Sequence, residues 1–266
     1  MKLSSSIQKS ANLISTLSVI VLCLTGIIFL QRQRLQPQQA TLTKAEYLRE
    51  EETEKLKLNL LKNFPSFGFD NLIANWTYLR FIQYFGDGDA RDKTGYSLSG
   101  DYFQAVVDRD PRFVNANLRL ASTTSIFGGD PQKSVTLLGQ SLKSVFPGIV
   151  SSPYPPYYLW IYKAVDEMLY LGDTEAARTS YKMAAQWAET YDEPASQATA
   201  ARIRETAQFL AKKPQSKVAR IGAWTTVLST ASDEKTIQKA INEIRALGGE
   251  IIISPDGRLS VQVPEE

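Results

Sequence analysis

Apolar residues recur at three- and four-residue steps along most of this chain, which predicts helices nearly throughout. The clearest case runs from Tyr157 to Ala188. Tyr158, Ile161, Tyr162, Val165, Met168 and Leu169 make one apolar helix, and Ala177, Tyr181, Ala184 and Ala188 set small residues along a second. Between them lies Leu171-Gly172-Asp173. Glycine takes the left-handed conformation that ends a helix, and aspartate caps the next one. Small residues let two helices approach closely while bulky ones opposite fill the gap. One such hairpin cannot bury its own apolar face, so the pattern predicts neighbours of the same kind.

The neighbours are written on both sides. Thr43-Lys44-Ala45-Glu46 is a capping box, and it opens a highly charged helix to about Lys62. Its apolar positions keep no heptad, so it reads as a solvated helix laced with pairs such as Glu51–Lys55. Asp70 caps a helix that ends at Gly86-Asp87 and is apolar on most of its circumference, which predicts burial on more than one side. Ser99 to Arg109 and Val114 to Ile126 follow, then Pro131 to about Val145. After the hairpin, Pro194 opens another helix, broken at Lys212-Lys213-Pro214, whose expected partner is Ser216 to Ser229. Asp233 caps a helix to Leu247. Glu250–Ile253 and Arg258–Val263 are strand-like around the turn sequence Ser254-Pro255-Asp256-Gly257. A lone two-stranded hairpin is marginal, so it is expected to fold onto the last helix or to complete a sheet with a partner, capping being the expected role.

At the other end, Ser10 to Gln31 carries no charge, and Ala11 to Leu30 is almost wholly apolar. As a helix rising about 1.5 Å per residue it would span roughly 30 Å, the hydrocarbon thickness of a bilayer. A signal peptide would have a shorter apolar region and a small-residue cleavage site. The run therefore predicts a retained single span. Lys2, Lys9 and the amino terminus flank one side, and Arg32, Arg34 and Lys44 the other, a near tie for the positive-inside rule. A short basic N-terminus usually stays in the cytoplasm, so the domain that follows is expected outside it, in a periplasm or thylakoid lumen.

Composition narrows the chemistry. The chain of 266 residues has net charge +2, no histidine and one cysteine, Cys23. That pattern excludes zinc sites, histidine-ligated haem, serine–histidine or cysteine–histidine nucleophiles and internal disulfides. No basic stripe marks a nucleic-acid binder. Asp87-Gly88-Asp89-Ala90-Arg91-Asp92 suggests calcium, but position six of that loop is not glycine and position twelve is Leu98, so it reads as a capped, solvated turn. No phosphate-binding glycine loop occurs, and neither metal nor cofactor is expected. Asp108 with Asp110, or Asp166 with Glu167, could serve acid–base work, yet nothing places either pair in a pocket. The chain is expected not to be an enzyme. Tyr154, Tyr157, Tyr158, Trp160 and Tyr162 read first as core and second as groove lining.

The turns at Gly86-Asp87, Gly129-Asp130 and Gly172-Asp173 repeat every 43 residues. Ala105 to Pro111 closes a helix on Asp-Pro, Leu120-Ala121 follows, and Ser134, Leu138 and Ser141 match Ala177, Tyr181 and Ala184 after the turn. These motifs resemble tetratricopeptide repeats, in a degenerate form, since that family repeats every ~34 residues. The resemblance covers about Asp70 to Ala188 and extends towards Ser229. The layout is also similar to membrane-anchored repeat proteins of cyanobacteria and chloroplasts, several of which assist assembly of photosynthetic complexes. It implies a mainly α protein: a flank (1–10), a transmembrane helix (11–31), a stalk and charged helix (32–69), a repeat domain (70–230), and a terminal helix with β-hairpin (231–266). A groove along the first helix of each pair would bind a protein partner, a membrane protein or complex, with Asn115, Asn117, Arg119, Lys163 and Asp166 as its exposed polar candidates. The functions in view are a scaffold or assembly factor, a permanent subunit of a membrane complex and, third, a carboxylate hydrolase.

Overall fold

The computed structural model describes residues 15–29, 31, 42–149, 153–213, 216–230, 234–253 and 259–264. The chain divides into two units, Met1–Thr43 and Lys44–Glu266. In the first, residues 15–29 form α1, with large apolar side chains such as Leu22 and Phe29 exposed. Among the described residues no helix is long and apolar enough to cross a membrane. Residues 11–14 and Leu30 of the expected span lie outside the described set, so α1 covers part of it.

The second unit is helical, with one small sheet. α2 (Lys44–Asn63) belongs to it, so the observed division falls at Thr43 rather than at Phe69. α2 is not the free solvated helix its charge suggests. Tyr47, Glu51, Glu54, Leu58 and Leu61 recur at alternating four- and three-residue steps, and this stripe faces inward. Two of its five members are carboxylates, which hid the stripe from an apolar count. α3 (Asp70–Gly86) also departs from expectation. It buries Ala74, Thr77, Phe81 and Tyr84 but leaves Leu72, Trp76, Leu79 and Ile82 exposed. Among the described residues its buried face packs mainly on α5 (Ser99–Arg109).

Between α3 and α5, Asp87 caps the seven-residue α4 (Gly88–Thr94), its Oδ1 accepting from the Ala90 amide at 3.2 Å. α4 turns Arg91 inward rather than to solvent. Its guanidinium lies 3.7 Å from the Tyr84 ring centroid and donates to the Gly95 carbonyl at 2.6 Å. α5 ends on Asp110, as the following proline requires.

α6 (Val114–Ala121) runs into a π-turn segment, Ser122–Phe127, before α7 (Pro131–Leu142). α8 (Tyr157–Leu169) and α9 (Thr174–Ala188) form the expected hairpin. The two turns are built alike. Gly129 and Gly172 have φ of +71° and +67°. Gly128 donates to Thr123 O at 3.0 Å and Asp130 to Thr124 O at 3.0 Å; Leu171 donates to Asp166 O at 3.3 Å and Asp173 to Glu167 O at 2.8 Å. Asp130 and Asp173 then cap the second helices through the Lys133 and Ala176 amides. Burial follows the same 43-residue shift that separates the two aspartates. Ala116 maps onto Leu159, Ala121 onto Ala164, Ser134 onto Ala177, Leu138 onto Tyr181 and Ser141 onto Ala184, and every member is buried. The first Gly-Asp turn shares the cap but not this geometry, because α4 interrupts its pair.

α10 (Pro194–Lys212) packs on α9. α11 (Lys217–Thr230) packs chiefly on α12 (Glu234–Ala246) rather than on α10, so the expected fourth hairpin is re-paired. β1 (Glu250–Ile253) and β2 (Leu259–Gln262) form an antiparallel pair with Ile251 opposite Val261, and both lean on the α11–α12 core. The expected cap Asp233 and turn 254–257 lie outside the described residues. The core therefore runs through three clusters in chain order. Trp160 meets Trp187 edge-on at 5.9 Å against both the first and second, and Tyr170 meets Trp224 at 5.6 Å towards the third.

Candidate functional site

Val165-Asp166-Glu167-Met168 puts two adjacent carboxylates in a helix otherwise packed with apolar residues. Adjacent helical positions point about 100° apart, so each meets a different neighbour. Asp166 faces the preceding pair. Its Oδ2 accepts from Ser125 Oγ and from Ser134 Oγ, both at 2.6 Å. Glu167 faces the following helix. Its Oε2 accepts from Ser180 Oγ at 2.6 Å and its Oε1 from Lys163 Nζ, which also donates to Ser180 Oγ at 3.2 Å. A polar seam thus crosses from the π-turn through α7 and α8 to α9. Burial dominates the chemistry of Asp166, which is 3% exposed: desolvation pushes its carboxyl up to about 7, against the two serine hydrogen bonds and with added repulsion from Glu167.

The π-turn helps build the seam. Thr123 Oγ1 bonds back to Arg119 O at 2.8 Å, and the widened turn carries Ser125 to Asp166. Gly128 closes it, because a Cβ there would lie 2.8 Å from Thr124 O.

A second cluster joins α2 to the helices after it. Glu54 accepts from Tyr102 Oη and Arg80 Nη2, each at 2.7 Å, and from Lys57 Nζ at 3.4 Å. Burial alone would raise its pKa, but those bonds and the Arg80 charge together outweigh burial and hold it below the usual carboxylate value. Glu51 accepts from Ser97 Oγ at 2.9 Å and Tyr84 Oη at 3.3 Å, with Arg91 at 3.7 Å, instead of pairing outward with Lys55. Burial pushes the Tyr84 and Tyr102 hydroxyls well above the ordinary tyrosine value.

The five residues assigned to an exposed groove separate. Asn115 and Arg119 are exposed on α6, and Lys163 is half-buried on α8. Asn117 and Asp166 are buried, which corrects their expected exposure. Asn117 Nδ2 donates to Pro111 O at 3.1 Å and Ser141 Oγ at 2.9 Å, tying α6 to α7. Their helical phase was readable, but an apolar count assigns every polar residue to the outside. The 43-residue shift was the available signal, since it maps Thr123 and Thr124, both buried, onto Asp166 and Glu167.

The other carboxylate pair does not converge. Asp108 accepts from Gln104 and Gln140 at 2.8 and 2.9 Å, while Asp110 accepts the Arg112 amide at 3.1 Å. Among the described residues no group of three or more His, Cys, Asp or Glu is placed to hold a metal ion. Tyr157 is buried. Tyr154, Tyr158 and Tyr162 form a partly exposed ladder at one-turn spacing, with ring centroids 5.5 and 6.3 Å apart.

These features define a helical protein in which the Asp166, Glu167, Glu51 and Glu54 carboxylates are engaged across helix interfaces. The chain matches no protein-family model, and no curated protein or solved structure matches it.

Proposed function

We propose that this chain is a membrane-anchored scaffold or assembly factor that binds a protein through a tetratricopeptide-like helical array. The observation that supports this reading best is the 43-residue identity of turn hydrogen bonds and burial between α6–α7 and α8–α9. Repeated helix pairs of this kind present the first helix of each pair along one side, where extended peptides or partner helices dock. Asn115 and Arg119, exposed on α6, and the partly exposed Tyr154–Tyr158–Tyr162 ladder at the start of α8 are the side chains this reading assigns to that side. Ala11 to Leu30 is the anchor in this reading, and holding the groove near a bilayer raises its effective concentration towards membrane partners. The array faces a periplasm or thylakoid lumen, its partner is a membrane protein complex such as a photosynthetic one, and the chain carries out no reaction of its own.

The test places a photo-crosslinking residue at Arg119 or Tyr158, with Glu205 on α10 as the control, in the full chain within its native membrane. One partner crosslinked from Arg119 and Tyr158 but not from Glu205 is the expected result. Crosslinks equal at all three positions overturn the groove. Exposed Ile252 and Val263 at the terminal hairpin favour a second reading, a permanent subunit with the hairpin covered by a neighbour. A fixed-ratio complex that survives gel filtration selects it over a transient scaffold.

A further inference from the structure

The α2–α3 loop, Phe64-Pro65-Ser66-Phe67-Gly68-Phe69, turns three aromatic rings outward. Phe67 is 83% exposed, and Phe64 and Phe69 are exposed beside it. This display is held in place. Arg109 Nη2 donates to Leu61 O and Phe64 O at 2.5 and 2.6 Å, and its Nη1 to Asp70 Oδ1 at 3.0 Å. Ser66 Oγ donates to Asp70 Oδ2 at 2.9 Å, and the Phe69 amide to Ser66 O at 2.8 Å. Phe67 has φ of +50°, the one non-glycine residue in that region among those described. A bulky residue in the left-handed region is an outlier that surrounding contacts must impose. Here they impose it on a side chain left in water.

Exposed apolar residues also occur on both flanking helices. Leu56 and Leu60 lie exposed one turn apart on α2, and Leu72, Trp76 and Leu79 make the stripe on α3. From Lys55 to Phe69 the sequence has three lysines and no carboxylate. The acids that flank this run are both ion-paired, Glu54 with Lys57 and Arg80 and Asp70 with Arg109. Protein interfaces are depleted in lysine at their apolar centres. Lysines interleaved with leucine, phenylalanine and tryptophan suit the headgroup region of a bilayer instead, where rings enter the acyl boundary and ammonium groups meet anionic lipid. The same chain carries the exposed apolar α1 only 14 residues before α2.

The geometry points to the Phe64–Phe69 loop, with Leu60, Leu72 and Trp76, as a lipid-docking surface that inserts its rings into the headgroup boundary of an anionic membrane. This goes beyond the scaffold reading and is measured separately from it. The full chain carrying Cys23→Ser and Phe67→Cys is labelled with an environment-sensitive fluorophore and reconstituted into vesicles of phosphatidylcholine and phosphatidylglycerol. A chain with Cys23→Ser and Glu205→Cys is the control. The expected result is strong quenching at position 67 by nitroxide-bearing lipid and several-fold weaker quenching by aqueous iodide than at position 205. Quenching by iodide alone at both positions overturns the proposal. Protection from both quenchers also overturns it, since a protein, either a second copy or a partner, then covers the loop. A label on the native Cys23 reports the anchor independently, so failure of either reading is seen by itself.

Discussion

Two carboxylates show how burial and partners decide opposite outcomes. Asp166 is desolvated and receives only neutral serine hydroxyls, so its protonated form is favoured in the folded state. Glu54 is also partly desolvated, but a guanidinium, a phenol and an ammonium converge on it and its ionised form wins. The signs for stability are therefore opposite. A folded pKa raised from 3.8 to about 7 makes the Asp166 contribution full below the unfolded value, and it is lost as pH rises through about 7. The depressed pKa of Glu54 makes its contribution present above the ordinary glutamate value and lost as pH falls through the lower one. The chain has no histidine, so few other groups titrate between these ranges. Chemical denaturation of wild type and Asp166→Asn is the measurement. Relative to the variant, the wild type should lose about 2 kcal/mol between about pH 5 and about pH 7. A pH-independent difference would show that Asp166 stays ionised in the folded protein. In the same series Glu54→Gln should be most destabilising near neutrality and approach wild type in acid.

At the level of helices and turns, two turn glycines at different positions of successive repeat units have different jobs. At Gly172, φ is +67° and an added Cβ would meet nothing within 4 Å, so only backbone strain opposes a side chain. Gly172→Ala should cost about 1–2 kcal/mol, and Gly172→Asn should recover part of it, because asparagine tolerates the left-handed region. Gly128 has an ordinary φ of −76°, and its constraint is the Thr124 carbonyl 2.8 Å from the would-be Cβ. Gly128→Ala and Gly128→Asn should therefore be equally harmful by urea midpoint, with no rescue by asparagine. The α6–α9 turns were legible because glycine and aspartate act through local backbone geometry, which a short stretch of sequence specifies. Packing of α2 was not, since its inward stripe holds Glu51 and Glu54 while Leu56 and Leu60 point out, the reverse of the usual pattern. The exposed stripe of α3 was misread for the same reason: its composition signals burial, but among the described residues Leu72, Trp76 and Leu79 stay exposed. Of the candidate groove, Asn115 and Arg119 were readable from helical phase, whereas Asn117 and Asp166 are buried by partners far along the chain.

For the whole molecule, the undecided quantity in the sequence is charge balance around the apolar segment, and that makes orientation responsive to small changes. Lys2 and Lys9 stand on one side and Arg32 and Arg34 on the other. Cations close to the ends of a span set its direction, and acidic residues count for little. The two pairs make a near tie, so the orientation of the proposed anchor should shift when either pair is removed. In the proposed anchor, Arg32→Gln with Arg34→Gln should leave Lys44–Glu266 uniformly on the far side. Lys2→Gln with Lys9→Gln should give a mixed or reversed population. Trypsin added to sealed cytoplasm-out vesicles reads this directly, because exposed lysines and arginines such as Arg119 and Lys57 are cut only when they face the added protease. Protection of wild type until the vesicles are opened supports the far-side placement, and cleavage without opening reverses it. If all three chains are cut to the same extent in intact vesicles, the segment does not span. The effect of the lysine substitutions separates a true span from a domain that is merely trapped, since trapping does not depend on Lys2 and Lys9.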